Sequence, residues 1–379
     1  MPEASGPALQ RRENNLFGID YRADAAQFAA IPGGIIDCHT HVHGVRASRL
    51  YGEVAKLFGV VQTYTMTQLP LAAAVRDVLG DRVRFIAFPS WSDPDKSQVH
   101  RAGFLRAIEA FHRDFGARML KIWSAPRLRE LVPDGAEDVW QIDSPWRREA
   151  CKLGQSLGMM FMVHVADPDT WFATKYADAS KYGKKLDHYI GLERMLDDFP
   201  SPWIAAHFGG WPEDLGFLDA LLTRHPNLHL DTSATRWLVR ELSKHPSDAF
   251  VGFLRKHSTR ILFGTDIVTT DDHLSPTKAN QESPKSDQAS NEAEAFDLYA
   301  SRFWVIRRML EGTGEFRSPI ADPDLPMIDP TRYGPDSSPT VRGMGVPMEL
   351  LRAIYRDNAV RLLDAWYGPS PKTSTANAG

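Results

Sequence analysis

Eight short apolar or β-branched runs recur along the chain, most of them followed by a longer stretch with helical patterning, and this alternation limits the fold more than any other feature. The first begins at Ile35 and continues as Ile36-Asp-Cys-His-Thr-His41; the others cover residues 60–66, 83–88, 119–124, 159–165, 203–208, 228–232 and 261–267. Helix-like segments fall at 70–79, 99–115, 146–157, 186–199, 215–224 and 249–257, several opened by Asp, Ser or Pro and closed by Gly or Pro. Strands joined through crossover helices run parallel, and eight such units favour a closed (β/α)8 barrel of the TIM type over an open sheet. No Gly-rich dinucleotide turn follows the first strand, which weakens the open, doubly wound alternative.

This pattern divides the chain into an N-terminal arm at 1–33, a single barrel domain with added C-terminal helices at 34–367, and a tail at 368–379 whose composition predicts disorder. The arm is polar and Ala-rich, and reads as loose with a short helix near 23–30. Three segments interrupt the rhythm. Residues 167–185, after the fifth strand, carry Trp171, Phe172, Tyr176 and Tyr182 among lysines, which suits a lid at the C-terminal face of a barrel. Residues 269–291 are polar with two Ser-Pro steps and read as a mobile loop. The Pro- and Gly-rich stretch 311–347 separates a helix at 292–310 from two more at 348–355 and 358–366, which would cover the barrel's end or an oligomer contact.

Charge excludes some partners. Lys plus Arg total 44 against 48 Asp plus Glu, a net charge of −4, and no basic block marks a nucleic-acid surface. Small molecules, or further copies of the chain, are the natural partners. Cys38 and Cys151 are the only cysteines and form no Cys-x-x-Cys pair, so neither a disulfide framework nor a cysteine zinc site is supported. No signal-peptide core or run of ~20 apolar residues points to export or a membrane span. A cytoplasmic enzyme is expected.

Chemistry gathers at strand ends. Along a strand side chains alternate faces, so Asp37, His39 and His41 share one side and the two imidazoles can share an ion. Thirteen His in 379 residues would give roughly 0.4 His-x-His pairs by chance, so the pair alone proves little. Three more residues supply the weight: His164 near the end of the fifth run, His207 near the end of the sixth, and Asp266 in Ile261-Leu-Phe-Gly-Thr-Asp266. A barrel collects such positions into one site, and this nitrogen and oxygen set suits zinc first, with manganese or iron as alternatives.

The chain resembles the amidohydrolase superfamily, specifically its amidohydrolase-related branch, through Ile36-Asp-Cys-His-Thr-His41, Val163-His164, Ala206-His-Phe-Gly-Gly210, Phe263-Gly-Thr-Asp266 and Tyr355-Arg-Asp-Asn-Ala-Val-Arg-Leu-Leu363. The match runs from about Gly34 to Leu363. The resemblance implies a distorted barrel with a divalent metal held by His39, His41, His164 and Asp266. His207 would be a further ligand in a two-metal member, or would orient and activate water in a one-metal member. Asp266 would also transfer the proton. Lys121 sits on the fourth strand, where some members carry a carboxylated lysine bridging two metals; the alternative is an unmodified lysine paired with Asp266 or an anionic substrate. If Lys121 faces inward, so do Met119 and Trp123.

Weaker candidates surround this set. Trp123, Arg127 and Arg236 are candidate substrate contacts, the arginines as grips for a carboxylate. Asp231 either orders the site or caps the residues after it. Asp37 is expected to orient an imidazole, Cys38 to lie in the core, and His43 to stand outside the ligand set.

The leading reading is a metal-dependent hydrolase attacking an amide, lactone or related bond of a small molecule, carboxylated or not. Its main rival is a nonoxidative decarboxylase or hydratase acting on an aromatic or muconate-type acid, which the same branch contains. Lys121 tilts the balance to hydrolysis, because a second metal serves a bridging hydroxide better than decarboxylation. Binding without turnover is a third reading; a site of this make-up normally leaves a position open for water, which argues against it.

Overall fold

The computed structural model describes residues 13–91, 95, 97–132, 137–275 and 285–368. Its strands are β1 (Ile35–His41), β2 (Val60–Thr65), β3 (Val83–Phe85), β4 (Met119–Trp123), β5 (Met160–His164), β6 (Trp203–Ala205), β7 (Leu228–Asp231), β8 (Ile261–Leu262) and β9 (Ile267–Val268). The main helices are α1 (Val45–Leu57), α2 (Ala72–Leu79), α3 (Ala102–Phe115), α4 (Pro145–Ser156) and α5 (Lys185–Asp198). They continue with α6 (Leu215–Arg224), α7 (Ser247–Lys256), α8 (Glu292–Glu311) and α9 (Asn358–Tyr367).

Every pairing among β1 to β9 is parallel, in the orders β3-β2-β1-β9 and β4-β5-β6-β7-β8. Backbone bonds join the two sheets at one seam: Ala87 N–H donates to Met119 O (2.9 Å) and Lys121 N–H to Ala87 O (2.7 Å). At the other seam the eighth run serves both neighbours, Leu230 standing opposite Ile261 and Thr40 opposite Ile267, with Cys38 N–H donating to Phe263 O (2.9 Å). The result is the expected (β/α)8 barrel. Its strands are covered on both faces, which is why β5 reads as the unbroken apolar run Met160-Phe-Met-Val163, all fully buried.

The structure departs from the sequence reading in several places. Helix α1 had no visible start signal, because its cap comes from far along the chain: the Asp271 carboxylate accepts Val45 N–H (3.2 Å) and Ala47 N–H (2.8 Å). Gly44 precedes it at φ 80°, and a Cβ there would collide with Asp271. The eighth run is broken rather than continuous, with β8 and β9 separated by a bend that ends at Asp266. Within 311–347 two strands, β10 (Thr313–Arg317) and β11 (Thr340–Met344), pair antiparallel.

The arm is packed rather than loose over its described part. Asn14 and Tyr21 are buried, Tyr21 Oη–H donates to Asn14 O (2.9 Å), and Leu16 N–H reaches Pro319 O (2.9 Å). Its short helix lies at Tyr21–Asp24, earlier than expected, because the Asp20 carboxylate caps Arg22 N–H (3.0 Å). The middle of the 269–291 loop, 276–284, lies outside the described residues, as does the tail from 369 onward, with the mobility and disorder expected there. The loop's described ends are anchored, His273 bonding Tyr299 Oη (3.0 Å) and Lys285 O (2.7 Å). Among the described residues no helix is long and apolar enough to cross a membrane.

Candidate active site

Two of the four described non-glycine residues with positive φ are His207 and Asp266, both at 58°. Such conformations cost about 1–3 kcal/mol each and persist where surrounding bonds enforce them. Here Asp266 N–H is held by His39 O (2.8 Å) and His207 N–H by the Asp231 carboxylate (2.9 Å). The bends turn both side chains toward the strand ends where His39 and His41 project.

His39, His41 and Asp266 converge. The Nε2 atoms of His39 and His41 lie 3.4 and 3.3 Å from Asp266 Oδ1, and the three could hold a metal ion. Donor chemistry agrees. His39 Nδ1 lies 2.7 Å from Asp231 Oδ2, a carboxylate that can only accept, so Nδ1 carries the proton and Nε2 presents its lone pair inward. Burial pushes His41 down to about 3 and lowers His39 as well, so both imidazoles are neutral, as ligation requires. Burial acts to raise the Asp266 carboxyl, but the Lys285 ammonium 3.9 Å away, the His41 bond and the neighbouring imidazoles outweigh it and hold the group well below the usual carboxylate range.

His39, His207 and Asp231 form a second group of suitable atoms. Its members are already joined by hydrogen bonds: Ser233 Oγ lies 3.0 Å from His39 Nδ1 and 2.8 Å from His207 Nδ1, and it donates to Asp231. This group supports the first one rather than offering another ion site. Burial works to raise the Asp231 carboxyl, and His39 and Ser233 overcome it and keep it ionised.

His164 joins neither group. Its Nδ1 accepts the Trp123 indole N–H (3.0 Å) and faces His207 Nε2 (3.2 Å), while its Nε2 meets Asp167 Oδ1 (2.9 Å). The structure therefore brings His164 beside His207 but not among the atoms that converge on Asp266. Lys121 faces inward with Met119 and Trp123, as the strand period predicts. Its amine donates to His39 Nε2 (2.7 Å) rather than to Asp266, and burial lowers its pKa to about 8.

The outlying candidates scatter. Arg127 is exposed and pairs with Glu130 (3.4 Å). Arg236 pairs with Glu13 of the arm (2.5 Å), and its neighbour Trp237 lies 6.0 Å from His207, ring centre to ring centre. Asp37 orients no imidazole. It accepts Thr265 Oγ1–H (2.7 Å), Thr265 N–H (3.2 Å) and His39 N–H (3.1 Å), stapling β1 to the eighth run, and burial raises its carboxyl to about 8. Cys38 is in the core, and His43 stays outside the ion group, its Nδ1 accepting Gln68 N–H (3.2 Å).

Three site residues escaped the sequence reading, Asp167, Ser233 and Lys285, and Tyr176 was read only as part of the aromatic lid segment. Asp167 follows His164 by three positions and Ser233 follows Asp231 by two, so strand-end proximity was the available signal. Tyr176 and Lys285 reach the site only through folded loops.

No curated protein matches the chain. Among solved structures, a probable 2-pyrone-4,6-dicarboxylic acid hydrolase from Acinetobacter baumannii is 10% identical with a TM-score of 0.45, the match covering 87% of this chain and 98% of that one. A 2,6-dihydroxybenzoate decarboxylase from Rhizobium is 15% identical with a TM-score of 0.38, covering 72% and 99%. A 5-carboxyvanillate decarboxylase from Novosphingobium aromaticivorans, complexed with manganese, is 11% identical with a TM-score of 0.39, covering 83% and 78%. Likenesses this distant assign no reaction. The family model described as amidohydrolase matches residues 36–365, and the chain belongs to that family of divalent-metal-dependent enzymes.

Proposed function

We propose that the chain is a hydrolase that uses one divalent ion, zinc by the donor set, to cleave an amide, lactone or related bond in a small carboxylated molecule. The observation that carries this reading is the convergence of His39, His41 and Asp266: two imidazole nitrogens 3.4 and 3.3 Å from one carboxylate oxygen make a site that would hold an ion and set a carboxylate beside it to accept a proton from water. His39 Nε2, His41 Nε2 and Asp266 would hold the ion, which when bound lowers the pKa of water and polarises the scissile carbonyl.

The chain's own groups do the rest. Asp266 takes the proton of the attacking water. Lys121, a buried amine 2.7 Å from His39 Nε2, faces the charge that develops on the carbonyl oxygen. His207 is held by Ser233 at Nδ1 (2.8 Å), and its Nε2, 3.2 Å from His164 Nδ1, would orient water once that contact opens. Arg236 grips the substrate carboxylate once Glu13 gives way. Two buried free cysteines suit a cytoplasmic setting.

The test is to incubate the protein with a panel of small carboxylated amides, lactones and aromatic acids in 18O-labelled water, reading label in the product and carbon dioxide release together. One 18O in the product without carbon dioxide is expected. Carbon dioxide release without label would overturn the hydrolase in favour of the decarboxylase.

A further inference from the structure

Two arginines and one glutamate of the arm carry an inference beyond the ion site. Arg302, on α8, is 7% exposed, and its guanidinium donates to Asn14 Oδ1 (3.0 Å) and Ser301 Oγ (3.1 Å), both uncharged. A buried guanidinium that meets only neutral acceptors lacks the counter-charge that would offset its desolvation. Burial and repulsion by Arg236 push Arg302 down to about 9, and the acid that works against them most is Glu13.

Glu13 thus serves two cations. Its carboxylate accepts from Arg236, and the next residue, Asn14, holds Arg302. Arg236 stands beside the ion site, because the Trp237 ring that follows it lies 6.0 Å from His207. On the other side Asn14 Nδ2 donates to Gln288 O (3.0 Å), three residues after Lys285, whose ammonium is 3.9 Å from Asp266. The arm therefore crosses the barrel mouth between the segment after β7 and the segment after β9.

How Glu13 is held decides what it can do. Its backbone O accepts Ala321 N–H (2.8 Å) and Asn14 is buried, so the main chain is fixed, whereas the Glu13 side chain is 45% exposed. An ion pair this open is screened by water and weak. A carboxylate arriving from solution can take its place without unseating the arm, and the planar guanidinium forks match that group.

We propose that Arg236 and Arg302 form a carboxylate subsite at the barrel mouth, that its ligand is a substrate carboxylate remote from the bond cleaved, and that Glu13 is an internal stand-in occupying the subsite until that carboxylate arrives. The part the subsite plays in substrate choice rests on the hydrolase reading; the competition between Glu13 and a carboxylate does not.

The experiment is isothermal titration of the zinc-loaded full chain with glutarate, set against glutaramide, its uncharged diamide. Glu13→Gln should bind glutarate roughly three- to fivefold tighter than wild type, the scale of a screened ion pair. Arg302→Gln and Arg236→Gln should each bind it roughly tenfold more weakly, and Glu13→Gln should add nothing in the Arg236→Gln background. Urea midpoints check that each variant is folded; should Arg302→Gln fail to fold, Arg236→Gln, whose side chain is partly exposed, carries the test. Equal affinity in wild type and Glu13→Gln would overturn the stand-in. Undiminished affinity in a folded arginine variant, or glutaramide binding as tightly as glutarate, would overturn the subsite. Because titration reads binding and not turnover, these failures are distinguishable from carbon dioxide release without label, which would sink the hydrolase reading and leave the subsite standing.

Discussion

At the residue scale the division of labour among acidic groups is the main result. Asp266 faces the ion position, Asp231 orients His39, Asp167 orients His164, and Asp37 holds backbone. Period-two reasoning could not name the partner of Asp37, because Thr265 lies 228 positions along the chain. Asp231→Ala removes the acceptor that fixes the His39 proton, and metal affinity should fall roughly 10- to 100-fold by isothermal titration; unchanged affinity would show that His39 orients itself. Lys121→Met removes an amine from His39 Nε2, so zinc should be retained in full while turnover drops. Loss of zinc would instead mark Lys121 as a bridging, carboxylated ligand. For Arg236→Ala a rise in KM of roughly 10- to 100-fold is expected, on the order of one charged hydrogen bond.

At the element scale, local signals and long-range contacts explain what the sequence could and could not disclose. The runs that became β2, β4, β5 and β7 were legible because their pattern is written in adjacent residues. Helix α1 was not, because its capping carboxylate lies 226 positions away at Asp271. Asp271→Ala should therefore lower stability by about 1 kcal/mol in urea unfolding, the usual worth of a lost cap; no loss would mean that packing alone holds α1. The segment 167–185 was read as a lid from its aromatics, yet the hydroxyl that seats it against Asp167 shows only in three dimensions.

At the scale of the whole molecule, the barrel follows from the repeat of strand and helix, while its closure depends on a bend in the eighth run that no local pattern announces. The same bend sets Asp266 at positive φ, so closing the barrel and building the site are one structural event. Burial also leaves a signature in the pH dependence of stability. His188 and His229 are pushed down to about 4 by burial, whereas the unfolded imidazole titrates near 6.5. Between those values the unfolded chain binds more protons, so their contribution is complete above pH 6.5 and is lost as pH falls toward 4, by about 1.4 kcal/mol per group per pH unit. Urea midpoints should fall steadily from pH 7 to pH 5, and less steeply in His188→Gln; a flat profile would contradict the burial of these rings.

The most direct test of the central claim is the metal content of purified wild-type chain, His41→Ala and Asp266→Ala after identical zinc loading and desalting. One ion per wild-type chain and none in either variant is expected if His39, His41 and Asp266 hold the ion. A full ion in both variants would contradict the site.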